Sequence, residues 1–169
     1  MTVLVAGGGI AGLTLALSLH QVGLPVEVFE SVATLRPLGV GINLLPHAVR
    51  ELCELGLEDG LAALAVPTAA LAYHSRHGKP IWHEPRGREA GYRWPQFSIH
   101  RGALQMLLLE TLRTRLGAAR FHAGHHLAAY EETATGIRAC FRNGATAEGS
   151  VLVAFGNTKV LCTSSVEES

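Results

Sequence analysis

Several things are scarce in this sequence, and each scarcity narrows the reading. Its 169 residues include only three cysteines, Cys53, Cys140 and Cys162. Their number is odd and none stands at CxxC or CxH spacing, so a disulfide framework is not expected and a reducing compartment is the default. Net charge is absent, with 14 Lys and Arg against 14 Asp and Glu, and no basic cluster stands out. An electrostatic footprint for nucleic acid or an anionic membrane is therefore missing. A long unbroken hydrophobic run is also missing. No charged side chain precedes Glu27, but Gly7, Gly8, Gly9 and Gly12 interrupt that stretch, Pro25 closes it and no basic residues open it. Neither a secretory signal nor a membrane span is expected there. What is present is 48% hydrophobic residues and 19 glycines. That composition excludes a mainly disordered chain and suits one soluble, cytoplasmic domain with one sizeable core.

The first 30 residues read as strand, glycine turn, helix and strand. Val3-Leu4-Val5-Ala6 is a short apolar run of the kind buried on both faces of a parallel sheet. Residues 10–22 place Leu13, Ala16, Leu17 and His20 on one helical stripe before Gly23 ends it. Residues 25–30 start with proline and alternate as a second strand. A loop over 31–41 and helices over 46–55 and 57–64 follow. Residues 66–100 carry four prolines and strand-like pieces at 69–75, 81–83 and 97–99, with a mobile loop expected over 84–92. Leu104, Leu108 and Leu112 mark a helix over 101–116. Short strands are expected at 120–122, 126–131, 136–141 and 150–154, with a tight turn at Asn143-Gly144. Residues 155–169 show no period and read as a frayed tail. No internal repeat is found. The fold class is α/β, a Rossmann-like βαβ unit with a parallel sheet and antiparallel excursion strands.

The stretch Gly7-Gly8-Gly9-Ile10-Ala11-Gly12 satisfies G-x-G-x-x-G between a strand and a helix. Gly7 permits the tight turn, Gly9 lets a pyrophosphate approach the backbone, and Gly12 lets the helix pack close on the strands. The N-H groups of Ile10 and Ala11 and the helix macrodipole, equivalent to roughly half a positive charge, favour phosphate at this end. Glu30, ending the second strand, can take ribose hydroxyls, and its charge would repel a 2′-phosphate. NADP is disfavoured at this site, while NAD and FAD present the same ADP half and stay open. His122, His125 and His126 lack a carboxylate or cysteine at ligand spacing, so they read as edge histidines rather than a metal site.

Residues 3–30, the stretch Leu35-Arg36-Pro37-Leu38-Gly39-Val40-Gly41-Ile42-Asn43-Leu44-Leu45-Pro46-His47-Ala48-Val49-Arg50-Glu51-Leu52, then Leu55-Gly56-Leu57, and Ile99-His100-Arg101-Gly102-Ala103-Leu104-Gln105 together resemble FAD-dependent aromatic-ring monooxygenases of the para-hydroxybenzoate and salicylate hydroxylase type. The resemblance covers roughly residues 2–154 and implies FAD, not NAD, at the first site. It implies that Glu30 holds the adenosine ribose, that Arg36 and Arg101 lie along the pyrophosphate and ribityl chain with Gln105 nearby, and that Gly39 and Gly41 run past the flavin ring. It also implies a small aromatic substrate, with NAD(P)H as transient electron donor and oxygen as oxidant.

The sequence departs from that pattern after residue 154. The family continues with a Gly-Asp turn that contacts the ribityl chain, and then with a substrate domain. Here Phe155-Gly156-Asn157-Thr158 follow and no Asp stands among them. The expectation is an FAD-binding part over 1–154, incomplete relative to the family, with a non-family tail over 155–169. Weakened flavin affinity, little or no monooxygenation and self-association through an exposed sheet edge would follow. Two competing readings are an NAD-linked Rossmann oxidoreductase and a non-catalytic nucleotide-binding remnant.

Overall fold

The computed structural model describes residues 2–154 and 160–162. In chain order its elements are β1 Val3–Ala6, α1 Ile10–Gln21, β2 Val26–Glu30, β3 Gly41–Leu44, α2 Pro46–Glu54, α3 Glu58–Leu64, β4 Val66–Thr68, β5 Ala70–His74 and β6 Pro80–Pro85. Then come a 3-10 turn at Gly87–Ala90, β7 Gln96–His100, α4 Arg101–Leu116, β8 Phe121–Ala123, β9 Leu127–Thr133, β10 Gly136–Phe141, β11 Thr146–Gly149, β12 Val151–Ala154 and β13 Val160–Cys162. They fall into two compact units, Met1–Arg36 with Gln105–Ser169, and Pro37–Leu104. Among the described residues no helix is long and apolar enough to cross a membrane.

The first unit is built on a five-stranded sheet in the order β13-β12-β1-β2-β8. β1 pairs in parallel with both β2 and β12, and β2 with β8. All four residues of β1 are buried, as an apolar strand covered on both faces should be. A second, antiparallel sheet runs β11-β10-β9. Leu4, Ala6, Phe29 and Leu152 of the parallel sheet share one core cluster with Ile137, Ala139 and Phe141 of β10. Phe29 stacks on Phe141 at 4.7 Å between ring centroids and on His122 at 4.6 Å. Leu4 is 1% exposed, so Leu4→Ala leaves a cavity in close-packed surroundings. It is expected to lower stability by about 2–5 kcal/mol, read as a reduced urea midpoint at unchanged slope.

In the second unit β7 is the middle strand of an antiparallel sheet in the order β3-β7-β4, and β5 and β6 form a separate hairpin. Val49, Leu52, Leu55, Leu57 and Leu61 bury the apolar side of α2 and α3. α2 starts on Pro46, whose missing N-H falls where no intrahelical partner exists. The hairpin is much less covered: Tyr73 and Trp82 face each other across it, and Trp82 is 56% exposed.

Three expectations change. Gly41 is not the end of a loop but the first residue of β3, paired with His100. Neither β3 nor β4 has a period of its own; each exists because β7 supplies its hydrogen bonds. The segment 84–92 is built rather than loose. Glu84 and Pro85 finish β6, and Gly87 is buried where an added Cβ would lie 2.4 Å from the Gln96 backbone nitrogen. Within the stretch expected to fray, Val160–Cys162 pair antiparallel with β12, because the outer edge of β12 offers unpaired backbone groups to a short apolar run. The rest of 155–169 lies outside the described residues.

Candidate functional site

The glycine turn connects β1 to α1 in the first unit. Gly7 has φ +123° and donates its N-H to the Phe29 carbonyl at 2.8 Å, which locks the turn onto β2. A Cβ on Gly12 would lie 1.9 Å from the Gly7 carbonyl oxygen, so the first turn of α1 touches the backbone it springs from. A Cβ on Gly9 would meet nothing within 4 Å. Gly9 is the N-cap of α1, and no side chain caps that helix. The first N-H groups, those of Ile10, Ala11 and Gly12, have no intrahelical partner by helix geometry. Open space, uncapped donors and the positive helix end thus coincide, and together they can receive a pyrophosphate.

Glu30 ends β2 beside this turn and is only 8% exposed. One carboxylate oxygen, Oε2, accepts the Gly8 N-H at 2.6 Å. The other, Oε1, accepts the Ser31 hydroxyl at 2.9 Å and the Val32 N-H at 2.8 Å. A carboxylate offers about four acceptor positions, so Oε2 keeps one for an incoming hydroxyl. These three donors hold the acid at the end of the strand without consuming its capacity to bind a ribose.

Gln105 was expected near the phosphates and ribityl chain. Its amide nitrogen donates to the Gly8 carbonyl at 2.8 Å, so it braces the glycine turn from α4. Arg36 is exposed, with no hydrogen bond or ion pair among the described residues. Gly7, Gly8, Gly9, Gly12, Glu30 and Gln105 are therefore brought together in one unit.

The remaining expected residues belong to the second unit. Arg101 opens α4 and donates to the Leu38 carbonyl at 3.4 Å. Gly39 has φ +134°, a conformation that favours glycine, and a Cβ there would also lie 2.6 Å from Arg101 Nε. Gly41 is exposed and open. Sequence reasoning missed His100, which ties this corner together. Its Nδ1 accepts the Ala103 N-H at 3.3 Å, capping α4, and its Nε2 faces the Gly39 carbonyl at 3.1 Å. A carbonyl only accepts, so the proton resides on Nε2. A histidine directly before an apolar helical run was the available signal.

A family model described as an FAD binding domain matches residues 1–154. The chain belongs to that family. As an FAD-binding domain it is 49% identical over 137 residues to the phenazine 1,6-dicarboxylic acid hydroxylase PhzS of Lysobacter antibioticus, covering 80% of this chain and 34% of that protein. It is 36% identical over 152 residues to the 3-amino-4-hydroxybenzoate 2-monooxygenase of Streptomyces cremeus, covering 88% of this chain and 38% of the relative. The crystal structure of Klebsiella pneumoniae HpxO complexed with FAD and uric acid superposes with TM-score 0.75 at 27% identity, over 90% of this chain and 38% of that one. The chain thus spans little more than a third of the length of these relatives. The uncapped α1 start, the space beside Gly9 and the spare acceptor position on Glu30 fit the ADP half of FAD.

Proposed function

We propose that this chain supplies the flavin-binding part of an NAD(P)H- and O2-dependent hydroxylase acting on a small aromatic substrate. The observation that carries the reading is the buried Glu30 carboxylate, fixed by three donors beside an uncapped, Cβ-free helix start. The N-H groups of Ile10, Ala11 and Gly12 would hold the pyrophosphate, Glu30 the ribose, and Gln105 would keep the turn in shape. Arg36, which has no partner among the described residues, and Arg101, at the start of α4, are positive charges suited to the phosphates and the ribityl chain. Gly41 would run beside the flavin ring. A bound flavin would supply the redox chemistry, accepting electrons from NAD(P)H and activating oxygen for ring hydroxylation, while the residues named above would contribute binding, orientation and exclusion of water. The names of the relatives support an aromatic carboxylic acid as the substrate class.

FAD titration is the direct test. Addition of FAD is expected to raise the melting temperature of the 169-residue chain and NAD is not, with the size of the shift following ligand concentration over Kd. A protein that stays colourless and is not stabilised by FAD overturns the reading, and stabilisation by NAD alone would favour a dehydrogenase. NAD(P)H oxidation, with and without aromatic acids, separates a chain that turns over from one that only holds its cofactor. Free Cys53 and Cys140 and a balanced charge support a cytoplasmic setting. The open outer edge of β8 supports self-association, expected as a dimer mass in light scattering; a monomer at every concentration tested sinks that part.

A further inference from the structure

Charge is balanced over the whole chain but not along it. From Gly60 to His83 there is no aspartate or glutamate, while Arg76 and Lys79 stand in that stretch together with His74, His77 and His83. Both cations sit at the tip of the hairpin of β5 and β6, in the second unit. That tip is a built turn. Ser75 donates its N-H to the Lys79 carbonyl at 2.8 Å and accepts the Gly78 N-H on its own carbonyl at 2.9 Å. The Ser75 hydroxyl oxygen accepts the N-H groups of His77 at 3.3 Å and Lys79 at 3.2 Å. Arg76 donates from Nε to His77 Nε2 at 3.0 Å, and neither Arg76 nor Lys79 has a carboxylate partner among the described residues.

Directly behind the tip the hairpin presents apolar surface to solvent. Tyr73 and Trp82 face each other across the strands at 55% and 56% exposure. The register shifts after Tyr73, so Ile81 has no partner on β5, and it is 68% exposed. An irregularity of this kind re-aims a side chain away from the regular pleat. Every residue of the two strands except Leu71 and Glu84 is exposed, so neither face of the hairpin supports a core. A two-stranded ribbon with no covered face is marginal in water, and docking on another surface would stabilise it.

The side chains indicate which surface. Unpaired cations beside tryptophan, tyrosine and an exposed aliphatic residue suit the boundary between lipid and water. With the hairpin lying along that boundary, the cations would meet anionic headgroups, and the indole and phenol would bury their apolar bodies while keeping N-H and O-H at headgroup level. The absence of acid over the whole stretch removes the repulsion that an anionic surface would otherwise meet. A nucleic acid would use the cations and the rings, but it offers nothing to Ile81.

We propose that the hairpin of β5 and β6 docks this protein reversibly on an anionic lipid bilayer, with Arg76 and Lys79 on the headgroups and Tyr73, Ile81 and Trp82 in the interface. The surface is separate from the glycine turn and Glu30, and the proposal does not rest on flavin binding.

Sedimentation of the whole chain with vesicles tests it. Phosphatidylcholine vesicles with about 30% phosphatidylserine supply the anionic surface, and pure phosphatidylcholine vesicles are the control. Binding to the first is expected to be at least tenfold tighter than to the second and to weaken as salt is raised. Replacing both cations, Arg76→Gln with Lys79→Gln, should weaken binding about tenfold or more. Trp82→Ser should weaken it with the cations intact, while Arg138→Gln on β10 leaves it unchanged. These positions are exposed, so urea midpoints should match the parent and separate lost docking from lost folding. The proposal is overturned if anionic vesicles are not bound at low salt, if neutral vesicles are bound as tightly, or if the variant lacking both cations binds as the parent does. It is also overturned if a single-stranded oligonucleotide is bound and vesicles are not, which assigns the hairpin to nucleic acid. A dimer that Trp82→Ser disperses, in a protein that vesicles leave in solution, overturns it in favour of a second copy of this chain.

Discussion

Gly12→Ala is expected to abolish flavin binding and to lower the stability of the chain by about 3 kcal/mol or more. The reason is geometric. The new Cβ would lie 1.9 Å from the Gly7 carbonyl oxygen and 3.1 Å from its carbon, and both are backbone atoms that no rotamer change can move. Relief requires α1 to shift away from β1, which breaks the turn and separates Leu13, Ala16 and Leu17 from the strands they cover. Gly9→Ala is the informative partner experiment. Its Cβ would meet nothing within 4 Å, so the fold should lose about 1 kcal/mol or less, the usual difference between glycine and alanine at an N-cap. Flavin affinity should nonetheless fall tenfold or more, since the methyl group would occupy the space left for a pyrophosphate. Urea melts and FAD titrations of the two variants separate the effects. Equal stability of the two would contradict the packing argument, and equal flavin affinity of Gly9→Ala and the parent would contradict the phosphate argument.

Glu30→Gln is expected to cost about 2–3 kcal/mol of stability, with flavin affinity reduced as well. The carboxylate accepts from Gly8 on one oxygen and from Ser31 and Val32 on the other. An amide can serve only one of these sides. If its oxygen faces Ser31 and Val32, its NH2 group confronts the Gly8 N-H, donor against donor, in a nearly solvent-free position. The charge-assisted character of all three bonds is lost as well. Chemical denaturation measures the first effect and FAD titration the second. A variant as stable as the parent would mean that the three contacts do not anchor the strand end.

The opening βαβ unit was legible in the sequence because each of its signals is local. The apolar run of β1, the 3.6-residue stripe of α1 and the alternation of β2 all lie within 30 residues, and the observed boundaries fall within a residue of the expected ones. Elements created by a distant partner were not legible. β3, β4 and β11 are three or four residues long, and their extended conformation is imposed by neighbouring strands. The segment 84–92 has the prolines and glycines of a loose loop, yet backbone packing of Gly87 against β7 holds it. The same division applies to the site. The glycine spacing and Glu30 are readable from residue type and position. The Gly8 contacts to Glu30 and Gln105 join residues 22 and 97 positions apart. No window of sequence exposes a bond of that length.

The placement of β12 bears on how the protein emerges from the ribosome. β1 lies between β2 and β12, with Val3 opposite both Val26 and Val151. The glycine turn and Glu30 lie within one short stretch of chain, yet the Gln105 brace comes 97 positions after Gly8 and one flank of the strand that supports the turn about 150 residues after β1. Until then β1 has an open hydrogen-bonding edge and an uncovered apolar face, the conditions under which nascent chains mispair. The nucleotide turn is thus specified at one end of the described chain and made secure from the other, so its folding is governed by the slowest, longest-range contact in the sheet.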